Sequence, residues 1–163
     1  PQRVVKKMLD AFNASFTEFM RDKLTKVEGY TIRDIIIIAS MVEKEAANNS
    51  ESFTVSSVIY NRLNNSANFP YLNIDATIVY ALGGKSELTD EDMKVDSPYN
   101  TYTNKGLPPG PISSPSQNSI AAALTPEETK YYYYAYDPAT KVHHFSKTYQ
   151  EHQAFLDSLK EEQ

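Results

Sequence analysis

The chain has no cysteine, which removes disulfides, thiolate nucleophiles and thiolate metal sites in one step. That absence is compatible with life outside the bacterial cytoplasm without requiring it. Long apolar runs are missing too. The strongest candidate, Ile35 to Val42, is too short to span a bilayer and ends in charge. No secretory signal is visible, and the chain opens at Pro1 without a methionine, so a fragment of a longer protein is expected. Gly83-Gly84 lacks the lysine and hydroxyl spacing of a phosphate-binding loop. A net charge of −5 with scattered basic residues argues against nucleic acid, which calls for a positive patch. What remains is one soluble globular domain of 163 residues, 40% hydrophobic and 23% charged.

Against these absences stands one unusual segment, Ile35 to Ala47, reading IIIIASMVEKEAA. On a helical wheel at about 100° per residue, Ile35, Ile38, Ala39, Val42 and Ala46 share one face. Glu45 falls on the edge of that face beside Ile38 and Met41, whereas Glu43 falls beyond Ala39, toward solvent. A carboxyl held against apolar side chains is harder to ionise. Its pKa rises, and it can keep a proton near neutral pH as a general acid must. The plainer alternative is a fraying last turn in which Glu45 is an ordinary helix residue.

Apolar spacing around this segment predicts an α+β domain dominated by helix, with a small late β-hairpin. Val5, Met8, Leu9, Phe12, Phe16, Phe19 and Leu24 form the stripe of one amphipathic helix over 1–27, with Gly29 just past its end. Thr31 is placed to cap the next helix, with Asp34 three residues on in the role usually taken by glutamate. After a polar break at Asn48 to Ser52, helices are predicted over Phe53 to Leu63 and Asp75 to Leu82, then a turn at Thr89 to Asp92. Residues 96–118 hold more than half of the prolines and almost no periodicity, which favours an ordered, substrate-facing loop. Ser119 to Leu124 reads as a short helix, and Tyr131 to Tyr136 and Lys141 to Phe145 as strands joined at Asp137-Pro138. Thr148 to Lys160 closes the chain as a helix with Tyr149, His152, Phe155, Leu156 and Leu159 turned inward. The four tyrosines at 131–134 read as a strand with two wetted faces, in preference to a stacking platform.

Triad chemistry has no support, since there is no G-x-S-x-G elbow and His143, His144 and His152 lie together near the C-terminus. Adjacent histidines in a strand point to opposite faces, so at most one of that pair could join His152, and no metal or other cofactor is expected. Carboxylate acid–base chemistry is left, with Glu43, Glu45 and Asp75 as candidates and Asn61, Asn100 and tyrosines as polar binders. Asn61 and Asp75 also suit an internal hydrogen-bonded pair.

The segments ASMVEKEAA, SSVIYNRL, YLNIDATIVYALG, SPYNTYTNKGLPPGPISSPSQNSIAAAL and VHHFSKTYQEHQ follow in a telling order and spacing. Together they resemble the catalytic domain of the endolytic murein transglycosylases, the YceG-like or MltG family. The resemblance covers residues 30–155. It makes 30–163 the catalytic domain and 1–29 a leading helix or connector from a region upstream. The family usually shows Gln and Pro where Asn73 and Ala76 stand here. The resemblance implies a lysozyme-like catalytic cleft and cleavage of peptidoglycan glycan strands, between N-acetylmuramic acid and N-acetylglucosamine and within the strand, leaving 1,6-anhydromuramyl ends. The family's catalytic glutamate, the second of E-K-E, maps onto Glu45, acting as acid and then as base. The muramyl C6 hydroxyl would be the nucleophile, so no second carboxylate is needed. Asn61, Asp75, Thr77, Tyr99, Asn100 and Tyr102 are the candidates to contact sugar, and the loop 97–112 is the candidate groove wall beside Glu45. The resemblance also implies a cytoplasmic tail, one membrane-spanning helix and a LysM-like subdomain upstream. That arrangement would put this domain on the extracytoplasmic face of the bacterial membrane, with cell-wall synthesis proteins as candidate partners. Two other classes stay open. One is a muramidase-type hydrolase pairing Glu45 with Asp75, whose product holds one more water; the other is a non-catalytic glycan-binding domain.

Overall fold

The computed structural model describes residues 2–24 and 27–161. The single helix expected over 1–27 is two helices, α1 (Gln2–Ser15) and α2 (Glu18–Leu24). The break falls beside Thr17, whose hydroxyl accepts from the Met20 N–H and starts α2 as a side-chain cap. Phe16 and Met20 enter the core, but Val5, Met8, Leu9 and Phe12 stay exposed on α1, so the apolar stripe does not turn inward over its whole length. Pro1, Thr25, Lys26 and the side chain of Phe19 lie outside the described residues.

A reciprocal cap starts α3 (Ile32–Glu45). The Thr31 hydroxyl accepts from the Asp34 N–H while the Asp34 carboxylate accepts from the Thr31 N–H. Isoleucine is stiff at χ1 and no strong helix former, so tertiary burial keeps this run helical. Ile35, Ile37, Ile38, Ala39, Met41 and Val42 are at most 3% exposed. They are enclosed by α4 (Ser52–Asn64), α5 (Asp75–Ala81) and α6 (Gln117–Leu124), all packed on α3. The helix is the axis of the domain, and its final residue is Glu45.

No regular element interrupts 95–116, and the long loop is tied along α3. Arg33 Nη2 donates to Pro109 O (2.6 Å), the Ile112 N–H to Ser40 Oγ (3.0 Å) and Ser113 Oγ to Ser40 O (3.0 Å). The late hairpin pairs β1 (Tyr133–Asp137) with β2 (Val142–Ser146), Tyr134 opposite Phe145 and Tyr136 opposite His143. A lone two-stranded hairpin is marginal in water, and here α7 (Tyr149–Glu161) covers one face. His144 stacks on Phe155 and Tyr133 on His152 across that contact. Helix α7 stays superficial: His152, Phe155, Leu156 and Leu159 are half-buried, while Tyr149, expected inward, is 61% exposed. These elements make the helix-dominated α+β architecture with a small late hairpin.

Ile38→Ala removes a side chain fully enclosed between α3 and its neighbours. We expect a loss of about 3 kcal/mol, read as a lower urea midpoint with an unchanged slope.

Candidate active site

Glu45 sits where the buried face of α3 meets open space, and each carboxyl oxygen has one donor. The Ala76 N–H, in the first turn of α5, reaches Oε1 at 3.1 Å, and the Tyr134 hydroxyl, from β1, reaches Oε2 at 2.8 Å. Burial pushes the Glu45 pKa up, and the charge of Asp75 adds to it; the two hydrogen bonds pull the other way without reversing the sign. Burial and the nearby Glu45 charge hold the Tyr134 phenol well above its ordinary pKa, so it stays a donor. Glu43, two residues back, behaves oppositely. Burial alone would raise it, but hydrogen bonds from Ser119 Oγ (2.6 Å) and the Ser116 N–H (2.9 Å) hold it below the usual carboxylate range. Glu43 is therefore a tie to the start of α6, and the two glutamates have different work.

Asn73 delivers Asp75 to the same place. Its φ of 53° is left-handed, a conformation asparagine tolerates better than most residues, and it turns the chain into α5. Gly83 and Gly84, with φ of 72° and 98°, close that helix as its seven residues end. Arg62 of α4 clamps this turn to the hairpin: Nε donates to Tyr132 O (2.7 Å), and Nη1 to Leu72 O (2.8 Å) and Asn73 Oδ1 (3.1 Å). The Tyr102 hydroxyl donates to Asp75 Oδ1, its own pKa raised by burial and by that bond.

Glu45 and Asp75 line two cavities at once. One, of about 480 Å³, is walled by Arg62, Tyr102, Tyr134, Tyr136 and His143; the other, of about 590 Å³, by Lys44, Ala76, Val79, Tyr80 and Ile112. The first is polar and aromatic, the second mostly apolar. The loop 97–112 reaches both, through Tyr102 on one side and Ile112 on the other.

The six expected sugar contacts divide. Asp75 and Tyr102 stand in the cleft with Glu45. Thr77 is fully buried and donates to Ile74 O, so it braces α5 from inside. Asn100 is also fully buried, its amide N–H groups committed to Met93 O and Val95 O and its carbonyl to the Tyr102 N–H; it holds the loop in shape and offers nothing to a sugar. Asn61 donates to Thr129 O and Tyr131 O, which rules out the internal pair with Asp75 and pins the lead into β1 instead. Tyr99 leans on Tyr80 at 4.8 Å, with its hydroxyl against Gly110, where an added Cβ would lie 3.0 Å away. Among the described residues no cluster of His, Asp and Glu has the makings of a metal site.

A sequence model described as the YceG-like family matches residues 1–158. The chain belongs to the YceG-like family. It is 36% identical over 150 residues to a Bacillus subtilis protein named endolytic murein transglycosylase, covering 91% of this chain and 40% of that one. A Streptococcus pneumoniae protein of the same name is 30% identical over 157 residues, covering 93% of this chain and 28% of its own length. A crystal structure of a yceG-like protein from Listeria monocytogenes superposes with a TM-score of 0.82 at 40% identity, over 93% of this chain and 47% of that one. The chain thus spans less than half the length of the relatives it matches.

Within this YceG-like domain, sequence reasoning missed Tyr134, Arg62 and His143. The four tyrosines are not a wetted strand: Tyr132 stacks on Phe69 at 4.4 Å, Tyr133 on His152 at 5.3 Å, and Tyr134 holds Glu45.

The two glutamates give stability effects of opposite sign. The raised folded pKa of Glu45 means that the native state loses stability as pH rises from the ordinary carboxylate range through that raised value. Glu45→Gln should melt at or above the unsubstituted protein at neutral pH, the gap closing in acid. Glu43, with a lowered pKa, contributes stability above the ordinary carboxylate range that is lost as pH falls through its folded value. Glu43→Gln should melt below the unsubstituted protein at neutral pH, again converging in acid. Thermal unfolding of both variants across pH checks the two signs.

Proposed function

We propose that this domain is a lytic transglycosylase that cuts peptidoglycan glycan strands internally, between N-acetylmuramic acid and N-acetylglucosamine. The observation behind the proposal is that one half-buried carboxyl with a raised pKa lies between two cavities, so a strand threaded through both would pass its glycosidic oxygen over Glu45. The names of the Bacillus and Streptococcus relatives support peptidoglycan as the substrate.

Protonated Glu45 donates to the glycosidic oxygen as the bond breaks and positive character grows at the muramyl anomeric carbon. The carboxylate left behind is met by two donors already in place, Tyr134 O–H and Ala76 N–H, which bind it more strongly than they bound the neutral acid. The muramyl C6 hydroxyl attacks the anomeric carbon from within the same sugar and passes its proton to Glu45, which restores the acid. Asp75 accepts from Tyr102 and shares the cavity with Glu45, where its charge favours the protonated form of the acid. That engagement favours the transglycosylase over a hydrolase that would need Asp75 as nucleophile or water-activating base. Among the described residues no helix is long and apolar enough to cross a membrane. A site on the extracytoplasmic face, tethered by upstream sequence and near cell-wall synthesis proteins, is part of the same proposal.

Mass analysis of fragments released from purified peptidoglycan is the test. We expect anhydro-ended muropeptides, each one water lighter than a hydrolase product, from internal cuts. Fragments with reducing ends would favour the hydrolase, and pellet binding without release would favour a binding domain. Ala76→Pro installs the family's usual residue and removes the N–H that reaches Glu45. Its loss should raise the Glu45 pKa, so the alkaline limb of the activity profile should move to higher pH.

A further inference from the structure

Behind Tyr134 lies a buried acid–imidazole pair that the proposed mechanism does not use. Glu51, in the turn between α3 and α4, is 8% exposed, and three donors meet its carboxylate. They are the Ala47 N–H (3.2 Å), the His143 N–H (2.7 Å) and His143 Nδ1 (2.8 Å). A bare Nδ1 would set its lone pair against a carboxylate oxygen, so Nδ1 carries the ring proton. Nε2 has no hydrogen-bond partner among the described residues and, unlike His152 Nδ1, is not sealed inside the protein. His143 lines the same cavity as Glu45. Its ring meets Tyr134 edge-on at 5.3 Å, and Tyr134 is the donor to Glu45. The charged and titratable groups around it are Glu51 from the α3–α4 turn, Glu45 from α3, and Tyr134 and Tyr136 from β1.

A staple between the α3–α4 turn and β2 would explain the contact, but the backbone bond from the His143 N–H already supplies that staple and needs no imidazole. The ring adds one thing, a second nitrogen without a protein partner among the described residues, on a side chain that lines the cavity and has its tautomer set by Glu51. We infer that His143 is a glycan-contacting residue of this site, with Nε2 accepting from a hydroxyl or amide N–H of an N-acetylhexosamine, and that Glu51 is its positioning residue. The inference rests on the glycan-cleaving reading of the cleft and adds two residues to it.

The test uses the Glu45→Gln protein, so that the strand stays whole, titrated with soluble peptidoglycan oligosaccharides of alternating N-acetylglucosamine and N-acetylmuramic acid. Imidazole nitrogen-15 spectra follow each ring. We expect the His143 Nε2 signal to move on binding while Nδ1 stays protonated. His143→Phe should weaken binding roughly tenfold, and His143→Gln, which keeps a polar atom near Nε2, should recover part of the loss. Glu51→Ala removes the acceptor that holds the proton on Nδ1, so the Nε2-protonated form should gain and both nitrogen shifts should move accordingly. Oligosaccharide that binds without moving the His143 signals, with His143→Phe binding as tightly, would reduce the pair to a staple and leave the proposed reaction untouched. An unchanged tautomer in Glu51→Ala would remove Glu51 from its role. No binding by Glu45→Gln and no cleavage by the unsubstituted protein would overturn the reading of the cleft and this inference with it.

Discussion

Keeping one carboxyl group from water at the end of α3 is the constraint around which the domain is arranged. Desolvation disfavours the Glu45 carboxylate, while hydrogen bonds from Ala76 and Tyr134 favour it, and desolvation prevails. The balance matters because each unit of pKa is worth about 1.4 kcal/mol between the two protonation states. Complete burial would leave an acid unable to ionise after giving up its proton; full exposure would leave an ordinary carboxylate. A half-buried position with two fixed donors allows both states, as the proposed reaction would need of a group acting as acid and then base.

Each neighbouring element has a share in holding that position. The isoleucine-rich core fixes the axis and angle of α3, the left-handed Asn73 brings the first turn of α5 against Glu45 Oε1, and the hairpin brings Tyr134 against Oε2. Arg62 ties the Asn73 turn to the lead into β1, so the two donors are held by one guanidinium. Its planar fork makes these bonds in fixed directions, which a lysine could not reproduce.

What could be read from the sequence was local. The Thr31–Asp34 cap, the buried stripe of α3, the opposite fates of Glu43 and Glu45, and the late strands all follow from spacing within a few residues. Tyr134, Arg62 and the Glu51–His143 pair were not legible, because each depends on how the hairpin docks ninety residues or so from Glu45 in the chain. Asn100 and Thr77 lie in the segments that carry the family resemblance, yet both are buried braces: a motif marks residues the site depends on without saying which of them touch substrate. The stripe on α1 predicted a helix correctly and its burial wrongly, since periodicity reports amphipathicity and not what covers the apolar side.

Burial raises the Glu45 pKa, so this carboxyl should hold its proton to higher pH than a free glutamate does. Carbon-13 labelling of glutamate side chains, with Glu45→Gln to assign the signal, allows its ionisation to be followed directly by the carboxyl chemical shift. The Glu45 midpoint should lie clearly above the ~4.3 of a free glutamate, with Glu43 below it in the same spectra. A Glu45 midpoint at or below that of Glu43 would contradict this expectation.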